Sequence, residues 1–308
     1  MLRRSPVILL AAALAVTAGC TASHPKADAT PSGAVAGFPV TVGSVHLDKQ
    51  PTHIVSLSPT TTEMLFAIGA DKQVAAVDDQ SNFPAEAPKT DLSGFKPNAE
   101  AIAAKKPDLV VLSNDTNKIV EQLGQLKIPV YLAPAAKTID DTYREIEDLG
   151  KLTGHPEDAK TVTDGMRDEI DSLVEDAKDQ SDKKLTYYWE LDPTFFSVTS
   201  KTFIGSLLAR VGLTNIADPA DASGAKGGYP QLSAESIVKG NPDLIFLADT
   251  KCCQQSLDTV KKRPGWAGVA AVKNGHVISL DDDIASRWGP RVVDLLRAVT
   301  DAVADVKP

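Results

Sequence analysis

The sequence predicts an α/β protein with two similar Rossmann-like lobes that are joined by one long, rigid α-helix. Short strand-like runs alternate with helical segments, two sequence blocks recur at a constant offset, and a long amphipathic segment lies between the halves. The chain has 308 residues, of which 43% are hydrophobic and 24% are charged, as is typical of a globular protein of about two domains. Its net charge of −9 argues against a nucleic-acid partner, because an acidic surface repels phosphate groups.

The first half contains four strand-like runs, at 54–57, 74–77, 109–112 and 130–132. They are largely apolar on both alternating positions, so we predict strands that are buried on both faces of a parallel sheet. The helices predicted between them span 58–68, 102–104 and 119–126. In the first helix, Thr60 and Glu63 have the spacing of a capping box, and we expect Glu63 to be structural.

The second half repeats the plan of the first. The block Pro-Asp-Leu-Val-Val-Leu at 107–112 recurs as Pro-Asp-Leu-Ile-Phe-Leu at 242–247, and Ala-Glu-Ala-Ile at 99–102 recurs as Ala-Glu-Ser-Ile at 234–237. Both pairs share one offset of 135 residues without a gap, which indicates two similar lobes. Ligands of such sheets bind at the carboxyl ends of the strands, so we expect a ligand cleft between the lobes.

Between the lobes, residues 156–177 carry apolar side chains at spacings of three and four. This pattern predicts an amphipathic helix about 30 Å or more in length. The expected organisation of the chain is a lipoprotein signal peptide at 1–19, a flexible tether at 20–40, an N-terminal lobe at 41–154, a connecting backbone helix at 155–183 and a C-terminal lobe at 184–308.

The N-terminus has the features of a secretion signal. Arg3 and Arg4 precede an apolar run at 7–16 that is too short to cross a bilayer, and small residues follow it. The Ala-Gly-Cys at 18–20 resembles a bacterial lipobox, which implies that Cys20 is lipidated and anchors the protein to the extracytoplasmic face of the cell membrane. A plain secretion signal is the alternative. Residues 21–39 are rich in Ala, Ser, Thr, Pro and Gly, and this composition predicts the flexible tether.

Four features together resemble a known family. They are Ile-Val-Ser-Leu-Ser-Pro-Thr-Thr-Thr-Glu at 54–63, the repeated Pro-Asp-Leu blocks, the long connecting helix and Ser-Arg-Trp-Gly-Pro-Arg at 286–291. Over residues 41–306 the chain resembles the substrate-binding lipoproteins of ABC importers for vitamin B12 and ferric siderophores, which have a helical-backbone (class III) fold. The resemblance implies a monomeric binding protein, not an enzyme, that captures a metal chelate and delivers it to the permease dimer and ATPase of an importer. No cofactor is expected, since the chelate carries its own cobalt or iron.

Glu100 and Glu235 occupy the same position in the two lobes, two residues after a predicted N-cap, Asn98 or Ser233. A carboxylate in the first turn also stabilises a helix by about 0.3–1 kcal/mol through the helix dipole. In the family that the chain resembles, one glutamate from each lobe binds arginines of the membrane subunits. The resemblance therefore implies that Glu100 and Glu235 dock the importer.

The resemblance also implies a set of ligand-binding residues. Phe95, Trp189 and Tyr229 correspond to aromatic residues that flank the chelate, and Asp283 and Arg287 correspond to polar residues of the pocket. Flat aromatic faces suit a large macrocycle or chelate, although core packing is the alternative role for Trp189. The candidate loops look acidic, so a cobamide ranks slightly ahead of a hydroxamate siderophore, an anionic catecholate is disfavoured, and haem ranks third.

Cys252 and Cys253 are adjacent in a loop that the 135-residue offset places near the cleft. In an oxidising compartment they could form a vicinal disulfide, with free thiols as the alternative. The five histidines are scattered, and neither a catalytic constellation nor a metal site of the protein's own is evident. A secreted enzyme or redox protein of the same fold that uses Cys252 and Cys253 is the rival function, and an adhesive or signalling module is the third.

Overall fold

The computed structural model describes residues 37–180 and 184–306. The predicted signal peptide, Cys20 and most of the predicted tether lie outside the described residues, as do residues 181–183 of the predicted connecting helix. The described chain begins with an antiparallel hairpin of two short strands, β1 (Val40–Val42) and β2 (Val45–Leu47).

The N-terminal lobe is built on five strands, β3 (Ile54–Leu57), β4 (Val74–Asp78), β5 (Lys89–Leu92), β6 (Leu109–Leu112) and β7 (Val130–Leu132). They are parallel neighbours in the order β5-β4-β3-β6-β7. The helices of this lobe are α1 (Pro59–Ala67), α2 (Ala99–Ala103), α3 (Ile119–Gln125) and α4 (Ile139–Thr153). The structure adds β5 to the predicted strands, because its sequence Lys-Thr-Asp-Leu is mostly polar at the sheet edge and gives no strand signal.

One helix of 25 residues, α5 (Pro156–Gln180), leads from the first lobe to the second. The C-terminal lobe contains the strands β8 (Thr186–Glu190), β9 (Thr214–Asn215), β10 (Leu244–Leu247) and β11 (Val277–Ser279). These strands are parallel in the order β11-β10-β8-β9. The helices of this lobe are α6 (Phe203–Arg210), α7 (Ala234–Gly240), α8 (Thr250–Cys253), α9 (Leu257–Lys261), α10 (Ala270–Asn274), α11 (Asp282–Ser286) and α12 (Val292–Asp305).

The two lobes share one continuous apolar core. Helix α5 packs along α4 of the first lobe and α12 of the second, and buried side chains of all three helices join those of both sheets. A smaller cluster covers the other face of each sheet. Close-packed interiors resist deformation, so α5 acts as a rigid spine of both lobes. In the part of the chain that the structure describes, no helix is long and apolar enough to cross a membrane.

The repeated Pro-Asp-Leu block has the same structural task in each lobe. The Asp108 carboxylate accepts hydrogen bonds from the backbone N–H groups of Thr52 (2.8 Å) and His53 (2.9 Å), at the entry to β3. The Asp243 carboxylate accepts bonds from the N–H and the hydroxyl of Thr186 (both 2.9 Å), at the start of β8. Each aspartate therefore ties the strand that follows it to the neighbouring strand. The predicted fold of two similar α/β lobes is confirmed.

Candidate functional site

A cavity of about 320 Å³ lies where the two lobes meet. The N-terminal lobe contributes Ala135 and Ala136, from the loop after β7, and the C-terminal lobe contributes the rest of the wall. Its residues in the C-terminal lobe are Leu191, Val198, Phe203, Ile204, Tyr229, Ala248, Asp282, Ala285, Ser286 and Trp288. The wall is mainly apolar. Tyr229 in this wall is half exposed, and Asp282 contributes a carboxylate to it. Such a cavity suits a partly apolar small molecule.

Next to this cavity, a buried ion-pair cluster joins the lobes. Glu63 on α1 of the first lobe is 3% exposed. Its carboxylate accepts hydrogen bonds from Arg287 Nη1 (2.7 Å) and from Arg291 Nε (2.9 Å) of the second lobe. The predicted capping box is wrong, because the N-cap residue Ser58 makes no side-chain cap bond and Glu63 faces the two arginines instead. Glu63 is structural, as expected, but it connects the lobes rather than capping α1.

Both terminal nitrogens of the Arg287 guanidinium donate hydrogen bonds to protein groups. Besides Glu63, it donates to Asn82 Oδ1 and to Asp283 Oδ1, both at 2.8 Å. Asp283 Oδ2 in turn accepts bonds from Asn82 Nδ2 (2.9 Å) and Lys251 Nζ (2.7 Å). Neither Arg287 nor Asp283 is among the described residues that line the cavity, and their assignment to the ligand stays a prediction. Both residues are part of the contact that holds the two lobes together.

For Trp189, the structure favours the core-packing alternative. Its side chain is completely buried in the core of the C-terminal lobe, with its ring centroid 5.7 Å from that of Phe246. The reason is its place on β8, a strand with buried side chains on both faces, where Tyr187 and Tyr188 are buried as well. A run of aromatic residues on a buried strand fills the core, and the packing alternative therefore applies.

Trp288 is the tryptophan that lines the cavity, although it is not among the residues predicted above to bind the ligand. Its Nε1–H donates to Glu145 Oε2 at 2.9 Å, and its carbonyl accepts from the hydroxyl of Thr142 at 2.9 Å, so it also bridges the lobes. Burial raises the pKa of Glu145 to about 7, although the bond from Trp288 opposes this rise. Trp288 lies within the Ser-Arg-Trp-Gly-Pro-Arg motif at 286–291, which was the available signal.

Phe95 and Tyr229 have the exposure that a ligand contact needs, at 73% and 51%. Two further aromatic residues, Phe83 and Phe196, are partly exposed. The Arg291 guanidinium lies 4.1 Å from the centroid of the Phe83 ring, which fixes that ring beside the ion-pair cluster. The assignments of Phe95 and Tyr229 to the ligand stay predictions.

Comparison with known proteins shows which family this chain belongs to. A match to the periplasmic binding protein family covers residues 54–284. The chain belongs to the periplasmic binding protein family.

Relatives of this periplasmic binding protein carry related names. It is 28% identical to the uncharacterized ABC transporter substrate-binding lipoprotein YvrC of Bacillus subtilis, over 96% of this chain and 95% of that protein. It is 26% identical to a cobalamin-binding protein of Halobacterium salinarum, over 96% of this chain and 82% of that protein. A solved periplasmic solute-binding protein of Staphylococcus epidermidis, described as a possible iron-binding protein, is similar with a TM-score of 0.69 at 26% identity, over 83% of this chain and 99% of its own. All three names describe binding proteins rather than enzymes.

The two predicted docking residues of this periplasmic binding protein are both exposed, in the first turns of α2 and α7. The predicted N-caps are present, since Asn98 accepts from the N–H of Ala101 and Ser233 accepts from the N–H of Ser236. Hydrogen bonds from the backbone N–H of Glu235 and from Ser233 lower the pKa of Glu235, so its carboxylate stays ionised. Docking by Glu100 and Glu235 stays a prediction.

Behind the cavity wall, the C-terminal lobe contains a buried charged network. Glu190, at the end of β8, is completely buried and accepts two bonds of 2.6 Å from the guanidinium of Arg263. Asp249, just after β10, is also completely buried, and neither of its carboxyl oxygens has a hydrogen-bond partner. Burial and the nearby Glu190 raise the pKa of Asp249 to about 7.

The sulfur atoms of Cys252 and Cys253 form a vicinal disulfide at the end of α8. The backbone N–H groups of Thr250, Lys251 and Cys252 all donate to the Asp282 carboxylate, at 2.8–3.0 Å. Since Asp282 lines the cavity, the disulfide-bearing turn lies directly behind the cavity wall.

Proposed function

We propose that this periplasmic binding protein captures a metal chelate outside the cytoplasm and delivers it to an ABC importer, with a cobamide ranked ahead of a hydroxamate siderophore. The observation that carries the proposal is the mainly apolar cavity between two rigidly joined lobes, with Tyr229 and Trp288 in its wall. Aromatic faces stack on flat, partly apolar macrocycles. The cobalamin-binding relative and the ABC transporter lipoprotein support the same class of ligand and partner.

The charges around the cavity support a ligand without strong negative charge. Arg287 and Arg291 are paired with Glu63, and Lys251 is paired with Asp281 and Asp283 at 2.7 Å each. A catecholate chelate with several negative charges needs unpaired arginines or lysines. These three cations are already neutralised by the protein, which favours a near-neutral cobamide or a hydroxamate chelate.

Haem ranks below both. Haem-binding proteins usually hold the iron through an axial side chain such as His, Cys, Met or Tyr. Among the described residues that line the cavity, Tyr229 is one such side chain and no histidine is present.

The direct test is a titration of the full chain with cyanocobalamin, ferrioxamine and haem, followed by tryptophan fluorescence. Trp189 and Trp266 are completely buried, so we expect Trp288 to report the ligand. Saturable quenching by one chelate, abolished by Trp288→Phe and weakened by Tyr229→Ala, supports the proposal. The absence of saturable binding by all three chelates would contradict it.

Delivery is tested separately by charge reversal. In the cell that makes the protein, the Glu100→Lys, Glu235→Lys double variant is expected to lose uptake of the chelate and to bind it normally when purified. The matched control is Glu157→Lys, which changes an exposed acid in the first turn of α5. Normal uptake by the double variant would instead favour an adhesive or signalling role.

A further inference from the structure

We infer that the Cys252–Cys253 pair is a thiol–disulfide exchange site whose redox state determines how firmly the cavity wall is held. The part of this inference that concerns the ligand rests on the proposed function. The exchange site itself rests on the position, exposure and hydrogen bonds of the α8 turn.

The disulfide has little to contribute to global stability. A disulfide stabilises a fold mainly by closing a loop in the unfolded chain, and the effect grows with loop length. Here the bonded residues are neighbours in sequence, so the unfolded chain loses almost no freedom. The mechanical effect of the bond is therefore confined to the turn that carries it.

The pair is accessible to a reagent. Cys252 is exposed and Cys253 is half-buried, so an incoming thiolate can approach the sulfur of Cys252 from solvent. Exposure is one of the conditions that distinguish exchangeable disulfides from structural ones.

The turn at residues 250–253 also holds Asp282, the acidic residue of the cavity wall, in place. Three successive N–H groups, from Thr250 to Cys252, point at the Asp282 carboxylate, and the Thr250 hydroxyl donates to it as well (2.9 Å). These donors converge because residues 250–253 form one tight helical turn. The bond between the last two residues of the turn holds that conformation.

A second connection runs from the turn to the contact between the lobes. Lys251 Nζ donates to Asp283 Oδ2, and the same oxygen accepts from Asn82 of the N-terminal lobe. Loosening the turn therefore weakens the support of Asp282 in the wall and of Asp283 in the inter-lobe cluster.

The proposed chemistry is an ordinary two-electron exchange with a dithiol, such as that of an extracytoplasmic thiol oxidoreductase. One thiolate of the dithiol attacks Cys252 Sγ, the Cys252–Cys253 bond breaks, and Cys253 leaves as a thiolate that takes a proton from solvent. The second thiolate of the dithiol then attacks the mixed disulfide, and Cys252 leaves as a thiolate and is protonated. The dithiol is oxidised to a disulfide, and the cysteine pair is reduced to two thiols.

The experiment compares amide hydrogen exchange in the oxidised and reduced full chain. The cysteine pair is reduced with dithiothreitol, which is then removed under anaerobic conditions. Alkylation followed by mass spectrometry confirms the redox state of the pair. We expect the amides of Thr250, Lys251 and Cys252 to exchange about tenfold faster or more after reduction. The Cys252→Ser, Cys253→Ser variant is the matched control, since it should exchange at the fast rate before and after the same treatment. Unchanged exchange of these amides on reduction of the wild-type chain overturns the inference.

The ligand arm uses cyanocobalamin as the probe. A less ordered wall binds more weakly because the ligand must order it, so we expect reduction to raise the Kd about three- to tenfold and reoxidation to restore it. If the Kd is equal in both redox states although amide exchange differs, the redox state of the pair does not affect ligand binding through the cavity wall, and that part of the inference is overturned. If neither form binds cyanocobalamin, ferrioxamine or haem, the proposed function fails, and the amide exchange alone decides whether the exchange site is correct.

Discussion

The two lobes share a plan, but they satisfy buried polar groups at the carboxyl ends of their central strands in different ways. In the N-terminal lobe, hydroxyl groups form a chain from Ser56 on β3 through Thr62 to Ser81, with oxygens 2.9 Å apart, and Ser81 donates to the buried Asp78 at 2.5 Å. In the C-terminal lobe, the matching strand β8 ends in Glu190, whose carboxylate accepts a hydrogen bond from Arg263. Glu190 lies near Asp249, whose carboxyl oxygens have no hydrogen-bond partner.

Buried hydroxyl groups and buried acids place different energetic demands on the two lobes. Hydroxyl groups donate and accept in turn, so a chain of them can be satisfied with little charge to desolvate. Two buried acids beside one arginine cannot both be compensated, because burial without a counter-charge is expensive. The stability of the C-terminal lobe should therefore depend on Arg263 and on pH. The hydroxyl chain of the N-terminal lobe needs no counter-charge, and its one acid is Asp78 at its end, whose pKa burial also raises.

Removing the arginine is the strongest way to test this comparison. In Arg263→Met, Glu190 and Asp249 are left buried without a positive partner, so we expect the free energy of unfolding to fall by about 3–5 kcal/mol. Urea unfolding followed by circular dichroism measures the change. Arg144→Met is the matched control, because Arg144 is exposed and its pair with Asp141 should contribute less than about 1 kcal/mol. Equal losses in the two variants would refute the special role of the network.

Disrupting the ion-pair cluster between the lobes should cause the second-largest loss in the free energy of unfolding. Glu63→Gln removes the charge that Arg287 and Arg291 share, although Asp283 still compensates Arg287. We expect a loss of about 2–3 kcal/mol in the free energy of unfolding. Glu169→Gln breaks the exposed pair with Arg297 and is the control. A second unfolding transition in Glu63→Gln would show that the cluster, and not only the shared core, makes the lobes unfold together.

The sequence could predict what depends on local pattern. The strands at 54–57, 109–112 and 244–247 are short, largely apolar runs, and the helix at 156–180 carries apolar residues at spacings of three and four, so the type and place of each could be predicted. The partners of Glu63 could not be predicted, because Arg287 lies 224 residues away and only the fold brings them together.

Trp189 shows a different limit. When both faces of a strand are buried, alternation no longer tells which side chain reaches a ligand. The predicted loop residues Phe95 and Tyr229 are exposed, and their contact with a ligand is still a prediction.

Asp249→Asn tests the predicted pH dependence. The pKa of Asp249 is raised from an ordinary 3.8 to about 7, so the folded chain binds one more proton than the unfolded chain between these values. The contribution of Asp249 to stability is therefore fully present below the unfolded pKa and is lost as pH rises through about 7. Relative to wild type, Asp249→Asn should gain about 2–3 kcal/mol between pH 5 and pH 8. Unfolding measured at both pH values gives this difference, and the exposed Asp258→Asn should show none.

The smallest effect is expected in the N-terminal lobe, and it completes the comparison. Thr62→Val keeps the shape of a completely buried side chain and removes the hydroxyl that joins Ser56 to Ser81. The two serine hydroxyls can still bond to Thr61 and Asp78, so we expect a loss of about 1 kcal/mol in the free energy of unfolding. Because no charge is added or removed, the loss should be the same at pH 5 and pH 8. A loss that changes with pH would mean that the hydroxyl chain controls the protonation of Asp78, and the two lobes would then differ in degree rather than in kind.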